Sequence, residues 1–585
     1  MSSESTSRVR HLLRLVPYLK KYRRQILTGT LMVLLTNMAA VILPKVLGNA
    51  VDELYREVRR DLLIYYAALI VGLSAVEGFF RYQMRRILIG VSRFLEYDLR
   101  NDLFAHLQKL SPYYYQKNPT GDIMSRSTND LSAVRMVMGP GIMYSVNTIF
   151  TAVLTIGVLV TINFRLTVLT LIPLVAVFYC MKYFGKQIHH RFEKIQAQFS
   201  DLTTMAQENV AGIRVVKAYN QEKAFIERFR RVNDEYIQKS LSMVRISGLL
   251  FPLLTLLLGL SLVGVLWYGG RQVIQGTITI GDFVAFMAYL AMLTWPSIAL
   301  GWVINIFERG SASMARINQI LDTQPAIRDE DPVVLSQIKG DIQIRGLSFS
   351  YNGVPVLKDI DLDVRAGETV AIVGSTGSGK STLSNLLCRL YPVPRETIFI
   401  DGVDINDIPL STLRGNIGYV PQDTFLFSET IQENIAFGRP AAEFKAIEES
   451  SQVSNILPDI EDFPQKFGTF VGERGITLSG GQKQRIAISR ALLVDPRILI
   501  LDDALSSVDT YTEEQILSRL SQELADRTAI LISHRVSTVK MADHIVVLED
   551  GRIVERGSHQ TLLQADGYYA QLYERQLLKE ELGLE

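Results

Sequence analysis

The sequence predicts a membrane α-helical bundle, six transmembrane helices with long cytoplasmic arms, fused to an α/β P-loop domain. Three observations predict it. Charge-free apolar stretches long enough to cross a bilayer crowd into the first ~310 residues and are absent beyond them. Two connections between those stretches are far longer than ordinary loops. The remaining chain alternates short β-like runs with helical ones, and a glycine-rich phosphate loop directly follows one of the runs.

The chain has 585 residues, 48% hydrophobic and 21% charged, with a mean hydropathy of +0.16. That length suggests several domains, and so apolar a composition excludes a disordered chain. The net charge of +1 gives no general reason to expect nucleic acid as a partner. Cys180 and Cys388 fall in unlike regions. A disulfide framework is therefore excluded, and a reducing compartment fits.

The charge-free windows run over Gln25 to Pro44, Leu62 to Val76, Met136 to Phe164, Leu166 to Met181, Ile246 to Gly270 and Phe283 to Phe307. Each supplies most of the ~20 apolar residues that a spanning helix needs. The N-terminus does not read as a cleavable signal peptide, because its apolar run is too long and lacks a small-residue cleavage site. Instead Leu12, Leu13, Leu15, Val16 and Leu19 alternate with Arg14, Lys20 and Lys21, which suits an amphipathic helix on the inner membrane surface. With a cytoplasmic N-terminus, inner segments carry roughly 28 basic residues and outer loops roughly 5, so both termini are expected inside. The expected location is the inner cell membrane.

The outer loops are short. The inner segments after spans two and four each run ~55–65 residues. One contains Leu103, Leu107 and Leu110, the other Phe192, Ile195, Phe199 and Leu202, a spacing that reads as helix. Each is broken near its middle, at Asn118-Pro119-Thr120-Gly121-Asp122 and around Gly212, where turn residues end one helix and start a short one. Glu77 stands out as a charge in a span, a costly position that is usually functional. Arg81 lies one turn on and could pair with it. Asn37, Asn147 and Asn305 are read as joining helices by hydrogen bonds rather than facing a pathway.

After Phe307 the pattern changes. The expected division is a transmembrane domain over 1–322, a linker over 323–339 and a nucleotide-binding domain over 340–585. Strand-like runs recur at Ile342–Ile344, Thr369–Val373, Ile398–Ile400, Ile498–Leu501, Thr528–Ile532 and His544–Leu548, which suggests a largely parallel sheet. After Val373 comes Gly374-Ser375-Thr376-Gly377-Ser378-Gly379-Lys380-Ser381, followed by Thr382. This is the P-loop pattern in its required context of strand, loop and helix. Its backbone N–H groups curl around phosphates at the positive end of the helix. Lys380 is expected to reach the β- and γ-phosphates of ATP, and Ser381 to ligate Mg²⁺. A second apolar strand, Ile498-Leu499-Ile500-Leu501, delivers Asp502 to the metal in the Walker B manner.

Between them lies Leu478-Ser479-Gly480-Gly481-Gln482. With it the chain resembles the ATP-binding cassette family over nearly its whole length. Other elements follow in order. Tyr351 resembles the adenine-stacking aromatic. Gln422, in Val-Pro-Gln-Asp, resembles the Q-loop glutamine, which also faces the metal. Thr469-Phe-Val-Gly-Glu473-Arg-Gly475 resembles the segment that precedes the signature in exporters. Ser506-Ser507-Val508-Asp509 resembles the D-loop, and His534 the switch histidine. Six spans placed before the cassette resemble a half-size exporter of the multidrug and lipid flippase type.

The resemblance implies a working dimer with a second half-transporter. Each ATP then lies between one subunit's P-loop and the other's Leu-Ser-Gly-Gly-Gln motif. It implies alternating-access export of amphipathic drugs, lipids or peptides, with coupling helices near Pro119–Asp130 and Ile213–Glu222. It leaves open an importer of a metal chelate, or an ATP-gated channel or regulatory subunit. The chain departs from the family pattern at Asp503, where competent sites carry the glutamate that polarises the attacking water. The catalytic set is therefore expected to be Asp503, His534 and Gln422, with slow hydrolysis at this site. A heterodimer is preferred over a homodimer.

Overall fold

Long apolar runs give six helices long and apolar enough to cross a membrane: Arg23–Arg56, Arg60–Leu107, Thr120–Ile162, Phe164–Ala211, Glu222–Ile274 and Ile280–Asp322. Five of them continue through an internal proline, Pro44, Pro140, Pro173, Pro252 or Pro296. The six measure 34 to 53 residues. A bilayer takes only ~20 of these, so each helix extends well beyond its span. In this computed structural model the described residues are 10–581, apart from 58, 330–332 and 334–336. The first nine residues and part of the expected linker thus lie outside them. The chain divides into two units, Met1–Gln108 with Pro119–Thr323, and Lys109–Asn118 with Gln324–Glu585.

In the helical unit, some polar groups find partners across helices. Asn37 donates to Asn147 Oδ1 at 3.0 Å, and Thr151 donates to Asn37, joining the first and third spans. Asn305 is exposed instead. Glu77 pairs with Arg81 on its own helix. Asp130 accepts from Ser313 at 2.9 Å and from Arg316 Nε at 2.7 Å, tying the third long helix to the sixth.

The first break differs from the expectation. The second long helix ends at Leu107. After Ser111 in extended conformation a six-residue helix runs over Pro112–Lys117, with Pro112 in its first turn. Proline suits that position, because the N–H it lacks would be unpaired there anyway. Thr120 already begins the next long helix, so Pro119–Asp130 is not the separate short helix. The Ser111-Pro112 pair was the overlooked signal. The Pro112–Lys117 helix packs within the cassette unit. Its Tyr113 hydroxyl donates to Asn352 Oδ1, and Gln116 Nε2 donates to the Tyr391 hydroxyl at 2.7 Å. The second break falls as expected, with a short helix over Ile213–Ala218 after Gly212.

The cassette unit holds two sheets. The larger has the order β10-β9-β3-β8-β7-β6, with β3 Thr369–Val373, β6 Ile417–Val420, β7 Ile498–Asp502, β8 Thr528–Ile532, β9 His544–Glu549 and β10 Arg552–Gly557. Only the β9–β10 pair is antiparallel in it. β3, β7 and β8 are buried along their whole length, which explains their unbroken apolar runs. The smaller sheet, β2-β1-β4-β5, is antiparallel, with β1 Ile342–Tyr351, β2 Val354–Val364, β4 Ile398–Ile400 and β5 Val403–Asp404, and Ile342 of β1 paired with Ile400 of β4. The sequence reading had placed both runs in one largely parallel sheet. Short apolar runs alone do not reveal which partner they find.

Candidate nucleotide-binding site

The site forms at the carboxyl ends of β3 and β7, where open α/β sheets bind ligands. Buried β3 delivers the chain into Gly374 with φ +152°. A side chain there would sit 2.0 Å from the Leu548 carbonyl oxygen, so glycine alone fits. The loop closes on the helix Lys380–Leu387. Lys380 is buried, and its ammonium donates to the carbonyls of Gly374 at 3.0 Å and Ser375 at 2.8 Å and to Ser378 Oγ at 3.4 Å. A phosphate must compete for these bonds. Burial lowers the Lys380 pKa, against the charges of Asp502 and Asp503.

Ser381 Oγ donates to Asp502 Oδ1 at 3.1 Å, and Ser384 Oγ donates to Asp502 Oδ2 at 3.2 Å. The sequence reading missed Ser384. Burial raises the Asp502 pKa, the two serine hydroxyls lower it, and the Asp503 charge adds to the rise. Ser381, Asp502 and Gln422 line one cavity. Their hydroxyl, carboxylate and amide oxygens are hard donors of the kind Mg²⁺ takes alongside substrate phosphates.

That cavity measures about 260 Å³ and brings together Thr376, Gly377, Gly379, Lys380, Ser381, Thr382, Gln422, Asp502, Asp503 and His534. Val356 and Ile532 complete its wall. Gly374, Ser375 and Ser378 hold Lys380 rather than line it. Tyr351 stands outside, packed edge-on against Phe349 at 5.0 Å and Tyr391 at 5.2 Å. His534 is more than a third exposed. Partial desolvation nevertheless lowers its pKa, and Lys380 adds to this while Asp503 and Asp502 oppose it. A neutral imidazole, able to accept a proton or a hydrogen bond, is thereby favoured.

Asp503 follows β7 in left-handed backbone, φ +52°. Its N–H donates to the Ile532 carbonyl at 2.8 Å, and its own carbonyl accepts from Ser506 Oγ at 2.9 Å. The Asp503 backbone is therefore held at both its N–H and its carbonyl.

Ser479, Gly480, Gly481 and Gln482 do not line this cavity; they open the helix Gly480–Leu493 elsewhere on the cassette. Ser479 and Gln482 form a reciprocal capping box, with bonds of 3.2 and 3.0 Å. Gln482 Nε2 also donates to Asp459 Oδ1 at 2.8 Å. A Cβ on Gly481 would lie 2.8 Å from the Ser507 carbonyl oxygen, so this glycine permits the close approach of the segment after Asp503. The first turn of this helix leaves backbone N–H groups of the kind that bind anions.

Known proteins resemble this chain along nearly its whole length. Residues 26–297 match the family described as ABC transporter transmembrane region, and residues 357–506 match the family described as ABC transporter. A probable multidrug resistance ABC transporter ATP-binding/permease protein of Bacillus subtilis, YheI, is 39% identical over 96% of this chain and 97% of its own. An ATP-dependent lipid A-core flippase of Syntrophus aciditrophicus is 37% identical over 92% and 89%. The solved structure of a bacterial Atm1-family ABC exporter with ATP bound superposes with a TM-score of 0.79 at 30% identity, covering 95% of this chain and 98% of that one.

Proposed function

The chain belongs to the ABC transporter family as an ATP-hydrolysing exporter half-transporter, and we propose that it moves amphipathic compounds outward as the weaker-site subunit of a heterodimer. Likeness along almost the full length of a multidrug resistance protein and a lipid A-core flippase supports the substrate class. The observation that carries the heterodimer reading is Asp503. Its carboxylate is one methylene shorter than glutamate, and its backbone is held at both N–H and carbonyl, so the chain cannot advance to make up the length. The signature Ser479-Gly480-Gly481-Gln482 is intact and can complete a partner's site.

In this reading ATP sits on the P-loop, with Lys380 on its β- and γ-phosphates and Tyr351 against its adenine. Ser381, Asp502 and Gln422 would hold Mg²⁺, which would supply positive charge against the phosphates. Asp503 orients the attacking water, and His534 contacts the γ-phosphate. The partner's signature completes contacts that exist only in the closed pair, so ATP favours closure. The short helices Pro112–Lys117 and Ile213–Ala218 carry that motion to the spans, which lie in the inner cell membrane with the cassette on the cytoplasmic side.

Two experiments test this. Inverted vesicles containing the chain and a candidate partner half-transporter should accumulate an amphipathic dye on ATP addition. Accumulation by right-side-out vesicles instead would mean import. A cysteine replacing Val216 should cross-link to a cassette in at least one nucleotide state. No cross-link from Val216 or its neighbours in any state would remove the Ile213–Ala218 helix from the coupling path.

A further inference from the structure

Beside the nucleotide cavity lies a charged pair that the proposed chemistry does not use. Glu513, in the first turn of the helix Thr510–Leu524, has a side chain only 1% exposed. An ionised carboxylate survives such burial only when fully paired. Glu513 is so paired. Arg535 donates to its Oε2. Ser537 and Thr538 donate to its Oε1 at 2.6 and 3.0 Å. Three donors on Arg535, Ser537 and Thr538 therefore converge on one carboxylate, and all three belong to the segment that follows His534.

Arg535 does more than neutralise Glu513. Its guanidinium also donates to the carbonyls of Val508, at 2.8 Å, and Ser506, at 3.1 Å. Both carbonyls belong to the loop that follows Asp503. From the other side, the buried amide of Gln484 on the signature helix donates to Ser506 Oγ at 2.9 Å and accepts from the Ser507 N–H at 2.9 Å. Ser506 Oγ in turn donates to the Asp503 carbonyl. The chain of bonds runs from the signature helix through the 506–508 loop to Arg535, next in sequence to His534, and ends on Glu513.

We infer that Glu513 is a positioning residue for ATP hydrolysis: by fixing Arg535 it holds the 506–508 loop and the His534 backbone in one rigid arrangement, without touching nucleotide. The inference rests on the reading of His534 as the γ-phosphate contact. Without the Glu513 charge, the Arg535 fork is no longer directed, and its two carbonyl bonds loosen. His534 and the 506–508 loop then sample several geometries instead of one. A rate loss of tenfold or more follows from misplacement on the ångström scale, whereas ATP binding at the P-loop is left alone.

The test uses the purified full chain in nanodiscs in an Asp503→Glu background, so that turnover is measurable. Glu513→Gln keeps the side-chain volume and one acceptor oxygen, so the fold is retained while the charge is lost. The expected result is kcat lowered at least about tenfold, with KM for ATP and azido-ATP photolabelling changed less than about twofold. In a His534→Ala background the same substitution should cost clearly less than in the parent, because the part of its effect that passes through His534 is already lost and only the part through the 506–508 loop remains. Unchanged kcat in Glu513→Gln, beside a slow His534→Ala, overturns the inference and leaves the His534 reading standing. An equal loss in both backgrounds also overturns it, since Glu513 would then act independently of His534. A His534→Ala variant as fast as its parent overturns the His534 reading, and this inference with it.

Discussion

Replacing Lys380 with alanine is expected to weaken ATP labelling of this chain on the order of tenfold to a hundredfold. The ammonium is buried and held by two carbonyls and a hydroxyl of its own loop. It is thus aimed at the position where phosphate oxygens arrive. Hydrogen bonds to charged groups contribute about 1.5–3 kcal/mol each, and those between opposite charges stand at the upper end. Losing one of them gives about the expected range, at 1.4 kcal/mol for each factor of ten. Alanine also removes the internal bonds that order the loop. Lys380→Met keeps most of the volume and separates the two effects: if charge is what matters, both variants label poorly. The measurement is photolabelling of this subunit by azido-ATP. Undiminished labelling would falsify the role assigned to Lys380.

The residues that were legible in the sequence are those whose chemistry depends on local spacing. The P-loop is a run of fixed positions after a strand, and the structure places Thr376, Gly377, Gly379, Lys380, Ser381 and Thr382 around one cavity as that spacing requires. Asp502 ends a strand buried on both faces, and its position follows from the apolar run before it. The six spans were legible for the same reason, since twenty apolar residues in water have few alternatives.

What escaped was tertiary in origin. Ser384 reads as an ordinary helical serine, and only the approach of β7 brings Asp502 within 3.2 Å of it. Glu513 and Arg535 are 22 residues apart, and no periodicity links them. The Pro112–Lys117 helix was misplaced because Asn118-Pro119-Thr120-Gly121 carries the stronger turn signal. The structure uses that signal to start the next long helix rather than the short one. Strand partners were likewise beyond reach. β1 and β4 carry the same short apolar signature as β3, yet they pair antiparallel in a different sheet.

Asp503→Glu is the substitution expected to raise activity. The Asp503 carboxylate stops one methylene short of where a glutamate would hold the attacking water, a shortfall of more than ~1 Å, and misplacement of that size can cost ~10²-fold in rate. The backbone cannot compensate, because the Asp503 N–H is bonded to Ile532 and its carbonyl to Ser506. Glutamate at this position should therefore raise kcat at this chain's own site by up to ~10²-fold, while KM for ATP stays nearly constant, since Lys380, Ser381 and Asp502 are untouched. Stability should move the other way. The backbone here is left-handed, φ +52°, a conformation that aspartate tolerates better than longer side chains, so glutamate should cost a fraction of about 1 kcal/mol in folding. A gain in rate together with a small loss in thermal midpoint is the signature of a site relieved of its short carboxylate, and a general stabilisation would not produce it. Asp503→Asn serves as the control and should be slower than the parent chain, because it keeps the length and removes the base. The assay is steady-state ATP turnover of the purified chain alone and with candidate partner half-transporters. If the chain alone turns over ATP rapidly as a homodimer, and Asp503→Glu raises it no further, then aspartate suffices and the asymmetric pairing is wrong.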